Sequence, residues 1–278
     1  MLLALLHSTM KLKRFGLFAL LSSLAVCSGT DRAASRGTHG TVADSSGGTV
    51  ALGLSTTRTY RPATTTGAGA ISGTVSLQGT PRDSIVAVGR DASLCGDSIA
   101  VSETDANGSS LANVLVWVDG ITSGKPLPEV RRETLTIEKC RFEPRVMAVV
   151  TKSTINVFSR DRVSHGPRFY REGSSDAIEE IRTVDAGQVV PSEKIASEPG
   201  IVEVHCVEHP FARAYIAVFD HPYFAVTDEH GAFKIDGLPP GTYNVKVWQE
   251  RLAKPVEQRV VVGAGGVGRL NLSLALGP

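Results

Sequence analysis

The chain has 278 residues, a formal net charge of +1 and 42% apolar residues, enough for two domains with cores of their own. The near-zero charge, with no basic stripe interleaved with aromatics, excludes a protein built to hold nucleic acid or an anionic surface. Gly (28) and Pro (14) together are near their usual share, which excludes a low-complexity architecture.

Lys11, Lys13 and Arg14 precede an apolar run from Phe15 to Val26 that is too short to span a bilayer comfortably. Residues 1–29 therefore read as a bacterial-type export signal, with Met10 the better start. Leu24-Ala25-Val26-Cys27 resembles a lipoprotein signal box in which Cys27 would carry the lipid, although Val26 departs from the small residue usual there. Lipid anchoring through Cys27 and simple secretion both stay open, and both put the protein in the periplasm or cell envelope. No other stretch is apolar enough to cross a membrane, so such an anchor is the only membrane contact expected.

Residues 30–69 are rich in Gly, Ser, Thr and Ala, with weak apolar periodicity and Tyr60 as the lone aromatic, and read as a disordered linker. Folded sequence is expected from Ala70. Ile71–Leu77 alternates with period two, as a half-buried strand does. Leu111–Val118, Thr134–Glu138, Val146–Val150, Thr154–Phe158, Ile201–Cys206 and Ala214–Phe219 follow as strands. Ser174–Thr183 is the best helix candidate, but it is short and polar. A second unit begins near Asp220, with strands at Phe224–Thr227, Ala232–Ile235, Thr242–Trp248, Val256–Val262 and Arg269–Leu274. Short strands between turn residues predict an all-β fold of two sandwiches, residues 70–219 and 220–278. Ile71–Leu77 could alternatively open a fold like that of the second unit.

An exported chain favours a disulfide, and three cysteines remain after Cys27. The simplest assignment pairs Cys95 with Cys140 and leaves Cys206 free. The alternative pairs Cys206 with one of the others and leaves no metal site.

The run Val204-His205-Cys206-Val207-Glu208-His209-Pro210-Phe211 ends an apolar strand with a cysteine and a histidine three residues apart. His165 lies roughly forty residues upstream, beyond the strand Thr154–Phe158. One thiolate and two imidazoles form the ligand set of a mononuclear copper site. A Greek-key sandwich supplies one histidine from mid-sequence and the other ligands from the loop between its last two strands. His165, Cys206 and His209 fit that order. His205 is left out, because successive side chains on a strand point to opposite faces. A structural zinc site would want a fourth ligand, and none is evident.

Several runs carry a family resemblance. Cys140-Arg141-Phe142-Glu143-Pro144 looks like a Cys-x-Phe-x-Pro segment, Asp161 with His165 like an Asp-x-x-x-His step, and Cys206 to Phe211 like a Cys-x-x-His-Pro-aromatic ligand loop. Asp220-His221-Pro222-Tyr223 looks like the domain junction. From about Ile71 to Leu276 the chain resembles bacterial exported proteins that join a plastocyanin-like (cupredoxin) domain to a carboxypeptidase-regulatory or transthyretin-like domain, often labelled methylamine-utilisation-like. The resemblance implies a cupredoxin-like Greek-key sandwich followed by a smaller transthyretin-like sandwich. It also implies one copper ion on His165, Cys206 and His209. Two positions depart from it: Ala212 stands where the family has its axial Met, and Gly166 where it commonly has Asn.

The remaining motifs read as structural. Asp236 to Tyr243 holds a rigid Pro-Pro-Gly turn, with Tyr243 packing at the sandwich end. Thr227 to Phe233 is the matching hairpin. His221 and His230, in turns, read as hydrogen-bonding or surface residues, Trp117 and Trp248 as core, and Glu179-Glu180 as solvated. No nucleophile elbow, zincin motif or phosphate loop is present. The expected function is non-enzymatic: copper-based electron transfer or copper handling, with a redox partner protein and a dry shell from Phe158 and Phe211. A scaffolding module with a vestigial metal site is the competing expectation, and an oxidase-type site at an open axial position is a weaker third.

Overall fold

The computed structural model describes residues 59–80, 83–102, 104–182 and 186–276. The export signal and the lipidation candidate Cys27 lie outside the described residues. Among the described residues almost every element is a strand, and the one helix is the single turn Ala92–Cys95. None of the described helices is long and apolar enough to cross a membrane.

Strand pairing sorts the chain into two sandwiches. In the first, a four-stranded sheet runs in the order Arg141–Glu143, Arg132–Glu138, Thr154–Ser159, Val189–Ser192. It faces a five-stranded sheet ordered Val146–Val150, Arg213–Phe219, Gly200–Cys206, Pro167–Arg171, Ala177–Glu180. Leu135, Ile137, Ile155, Val157, Val202, Val204, Ile216 and Val218 fill the space between them, all fully or almost fully buried. Alternation explains the choice of residues: on Thr154–Ser159 every second side chain is buried, which places Ile155 and Val157 inward. Ala177–Glu180, within the span that carried the faint helical signal, is an edge strand.

The second sandwich corrects the expected boundary between residues 219 and 220. Its four-stranded sheet is ordered Phe224–Val226, Leu115–Asp119, Gly241–Trp248, Val256–Val262. Its other sheet gathers Ala232–Leu238, Ser110–Leu111, Val267–Arg269 and Leu272–Ala275 around the long strand Gly69–Gln78. Strands on both sides of the first sandwich in sequence thus share one core, which includes Ile71, Val75, Leu111, Val116, Val118, Ile235, Val245 and Val247. The first sandwich is inserted into the second. Period-two patterns identify strands and carry nothing about non-local partners, so a boundary drawn from sequence order alone missed this.

The expected linker also ends early. Tyr60 is buried, its hydroxyl donates to the Lys125 carbonyl (2.5 Å), and Arg61–Pro62 pairs with Ser123–Gly124.

The sandwiches meet sheet to sheet. On Leu115–Asp119, Val116 and Val118 face the second core, while Leu115 and Trp117 face Ile201, Ala217 and Phe219 of the inserted sandwich. The run Leu-Val-Trp-Val is apolar throughout because this strand is covered on both faces. Arg145 at the edge of the contact pairs with Asp105 (3.3 Å) and with the largely buried Glu250.

Candidate metal centre

The centre is built at one end of the inserted sandwich. Cys206 ends the strand Gly200–Cys206, and its place in the alternation turns the thiol inward. His205 points the other way, half-exposed, beside Glu203 (3.2 Å) and Tyr170. The loop that follows closes on itself: the Ala212 N–H donates to the His209 carbonyl (2.8 Å) and the Cys206 N–H to the Ala212 carbonyl (3.3 Å). The Val207 N–H donates to the Gly166 carbonyl (3.1 Å), which ties this loop to the segment carrying His165.

These bonds bring His165, Cys206 and His209 together. Cys206 Sγ lies 3.8 Å from His165 Nδ1 and 3.7 Å from His209 Nδ1. The rings are 4.9 Å apart between centroids, and all three donors lie within 4.8 Å of one another. Their exposures are 1%, 3% and 1%. Three donors in a plane around one ion, with bonds of about 2.0 Å to nitrogen and about 2.3 Å to sulfur, would stand about 3.7 Å apart from sulfur to nitrogen. Both sulfur-to-nitrogen separations in the protein match such an ion.

A carboxylate sets the His165 tautomer. His165 Nε2 is 3.0 Å from Asp161 Oδ2, and a carboxylate can only accept, so Nε2 carries the proton and the Nδ1 lone pair faces the sulfur. At His209 the hydrogen-bond contact of Nε2 is to Cys95 Sγ (3.7 Å), and Asp91 Oδ2 lies 3.3 Å from the same nitrogen. Asp161 also takes the backbone N–H groups of Lys139 and Cys140, both at 2.8 Å. Those two residues form a two-residue hairpin turn with φ of 51° and 60°. Left-handed backbone is costly outside glycine, and the carboxylate grip offsets that cost. Burial pushes the Cys206 thiol up from its ordinary pKa, partly opposed by backbone hydrogen bonds from Gly166, His209 and Glu208. Burial likewise lowers His165, against the opposing pull of Asp161.

Cys95 and Cys140 form a disulfide, with Cα atoms 5.5 Å apart, and Cys206 is a free, buried thiol. Val88, Leu94, Cys95 and Ile99, on a segment that reaches over from beyond the inserted sandwich, pack with Cys140 and Phe211 into a small apolar cap. Cys95 Sγ stands 3.7 Å from His209 Nε2. Sequence reasoning paired these cysteines but missed that the bond abuts the centre, and it missed Asp91 altogether. The proximity of Cys95 and Asp91 was a faint signal, since both had to travel with the disulfide to Cys140.

The two departures from the family pattern have structural counterparts. Ala212 is buried and offers no donor. A Cβ on Gly166 would come 2.8 Å from Glu208 Oε2, the carboxylate that also lies 3.7 Å from Cys206 Sγ. Glu208 therefore fills the space that a side chain at 166 would take. Phe211 packs edge-on to His209 at 5.7 Å, as expected of a shell residue. Phe158 does not: it stands on the other face of its strand from Val157, half-buried beneath the Arg160 guanidinium. His221 is buried and accepts the Tyr223 N–H through Nδ1 (3.2 Å), which is the hydrogen-bonding role expected of it and not the surface one, and His230 is exposed. Trp117 and Trp248 are core. Tyr243 donates to the Pro239 carbonyl (2.5 Å).

Residues 202–275 match the family model of the carboxypeptidase regulatory-like domain. No curated protein matches the chain. Among solved structures it is similar to a reduced-state amicyanin mutant, at 23% identity over 31% of this chain and 79% of that chain, with a TM-score of 0.27. It is similar to a purple cupredoxin from Nitrosopumilus maritimus, at 15% identity over 31% of this chain and 97% of that one (TM-score 0.26). A copper-containing nitrite reductase from Thermus scotoductus SA-01 is similar at 19% identity, over 36% of this chain and 24% of that one (TM-score 0.27). The carboxypeptidase regulatory-like half of the resemblance read from the sequence recurs in the family model.

Proposed function

We propose that this protein holds one copper ion on His165, Cys206 and His209 and serves in electron transfer or copper handling in the cell envelope, not as an enzyme. The observation that carries the reading is the convergence of two Nδ1 atoms on one buried thiol, at 3.8 and 3.7 Å. Bound copper would supply a one-electron couple, and a thiolate with two imidazoles suits copper in both oxidation states. Asp161 keeps the His165 proton on Nε2, so Nδ1 of that ring meets an incoming ion as a ready donor. The buried setting excludes water and limits rearrangement, which favours a carrier over a catalyst that must admit substrate. Export rests on the basic and apolar leader of residues 1–29, and an electron carrier in the envelope would need a redox partner protein there.

A second reading is favoured by Ala212, which leaves the centre with no thioether donor. In it the metal site is vestigial and the paired sandwiches act as a scaffold. Addition of copper(II) to the purified protein separates the two. Copper binding predicts an intense visible thiolate-to-copper band at one equivalent, lost in Cys206→Ser. A colourless protein that retains no metal supports the scaffold.

A further inference from the structure

Two more groups of donors among the described residues lie within 4.8 Å of one another: Cys95, Cys140 and His209, and Cys140, Asp161 and His165. Both run through the disulfide, on the Nε2 side of the imidazoles, opposite Cys206. We propose that reduction of the Cys95–Cys140 bond turns the cap into a second soft-metal site, in which Cys95 Sγ, Cys140 Sγ and His209 Nε2 bind monovalent copper.

The geometry is nearly in place. Cys95 Sγ already stands 3.7 Å from His209 Nε2, the separation of about 3.7 Å that sulfur and nitrogen take around a trigonal ion. Two thiolates on such an ion stand about 4 Å apart, within reach of side-chain rotation from Cα atoms 5.5 Å apart. Cys95 and Cys140 are 9% and 0% exposed, and Val88, Ile99, Leu94 and Phe211 wall them in. Two thiolates and one imidazole in an apolar enclosure select a soft ion that accepts low coordination, which is copper(I).

The step needs a dithiol reductant. Its thiolate attacks one sulfur, the Cys95–Cys140 bond breaks, and a mixed disulfide forms. The second thiol of the reductant then closes its own disulfide and releases two protein thiols, a transfer of two electrons and two protons. Copper(I) displaces both thiol protons, and the His209 proton moves to Nδ1, freeing the Nε2 lone pair. As a neutral ligand His209 thus serves one side at a time.

The inference shares His209 with the first centre but stands or falls apart from it, because the test removes Cys206. The full chain carrying Cys27→Ser and Cys206→Ala is titrated with copper(I) against bicinchoninate, once oxidised and once after dithiothreitol treatment and anaerobic desalting. The oxidised chain is expected to take up none and the reduced chain one equivalent. X-ray absorption on that copper should show two sulfur neighbours. Adding Cys95→Ser should abolish uptake while circular dichroism stays that of the reduced parent. No uptake on reduction, or uptake that survives Cys95→Ser, overturns the proposal. The visible band of the oxidised wild-type chain reports independently on the first centre.

Discussion

Asp161 links three things through one carboxylate: the His165 tautomer, the Lys139-Cys140 turn and the disulfide that the turn carries. An asparagine there would turn its amide hydrogens toward one of these donors and leave a buried N–H without an acceptor. Asp161→Asn should therefore cost about 2–3 kcal/mol, read as a lower midpoint in guanidinium unfolding. A change below about 0.5 kcal/mol would refute the linkage. His221 offers a pH test. Its Nδ1 accepts the Tyr223 N–H (3.2 Å), and burial lowers its pKa to about 4. The folded state keeps this ring neutral while the unfolded chain protonates it below its ordinary value, so its stabilising contribution is present above about pH 6.5. That contribution is lost as pH falls toward 4, by up to about 3 kcal/mol. His221→Asn keeps an acceptor for Tyr223 and removes the titration. Urea midpoints at pH 7 and pH 4.5 should lie closer together in the variant than in the wild type.

At the level of elements, alternation explains most of what surrounds the centre. Gly200–Cys206 buries Val202, Val204 and Cys206 on one face, so the last inward position of the strand is the thiol. The hairpin Arg132–Glu138 to Arg141–Glu143 needs two left-handed residues, which Lys139 and Cys140 supply despite their Cβ atoms. Asp161 grips only their backbone N–H groups, so a glycine at 139 keeps the grip and removes the strain. Lys139→Gly should stabilise by about 0.5–1 kcal/mol, seen as a raised unfolding midpoint. A loss of stability would show that the Lys139 side chain contributes more than the strain it causes.

The nesting of one sandwich in the other sets how the whole molecule depends on its parts. The C-terminal strands lack a central partner without Gly69–Gln78 and Leu115–Asp119. A fragment of residues 220–276 should thus be unfolded, with narrow amide dispersion in NMR spectra. A chain of residues 59–276 with 128–220 replaced by a short linker should retain folded dispersion. A folded 220–276 fragment would contradict the shared core. The nesting also brings the cap to the metal centre, since the segment carrying Asp91 and Cys95 leaves from the second sandwich and is fastened on the first.

Local chemistry made the strands, the ligand loop and the cysteine pairing legible from the sequence alone. A period of two reports which face is buried, a Cys-x-x-His spacing reports one tight loop, and three cysteines beyond residue 29 leave few pairings. Val146–Val150 and Val256–Val262 fall where their apolar runs placed them. The tertiary structure alone decided the rest: the partners of Gly69–Gln78, the burial of His221, the outward turn of Phe158, and the meeting of Asp91 and Cys95 with His209. Each depends on contacts between residues far apart in the chain. Such contacts follow from how sheets close over a shared core, and no local pattern of residues encodes them.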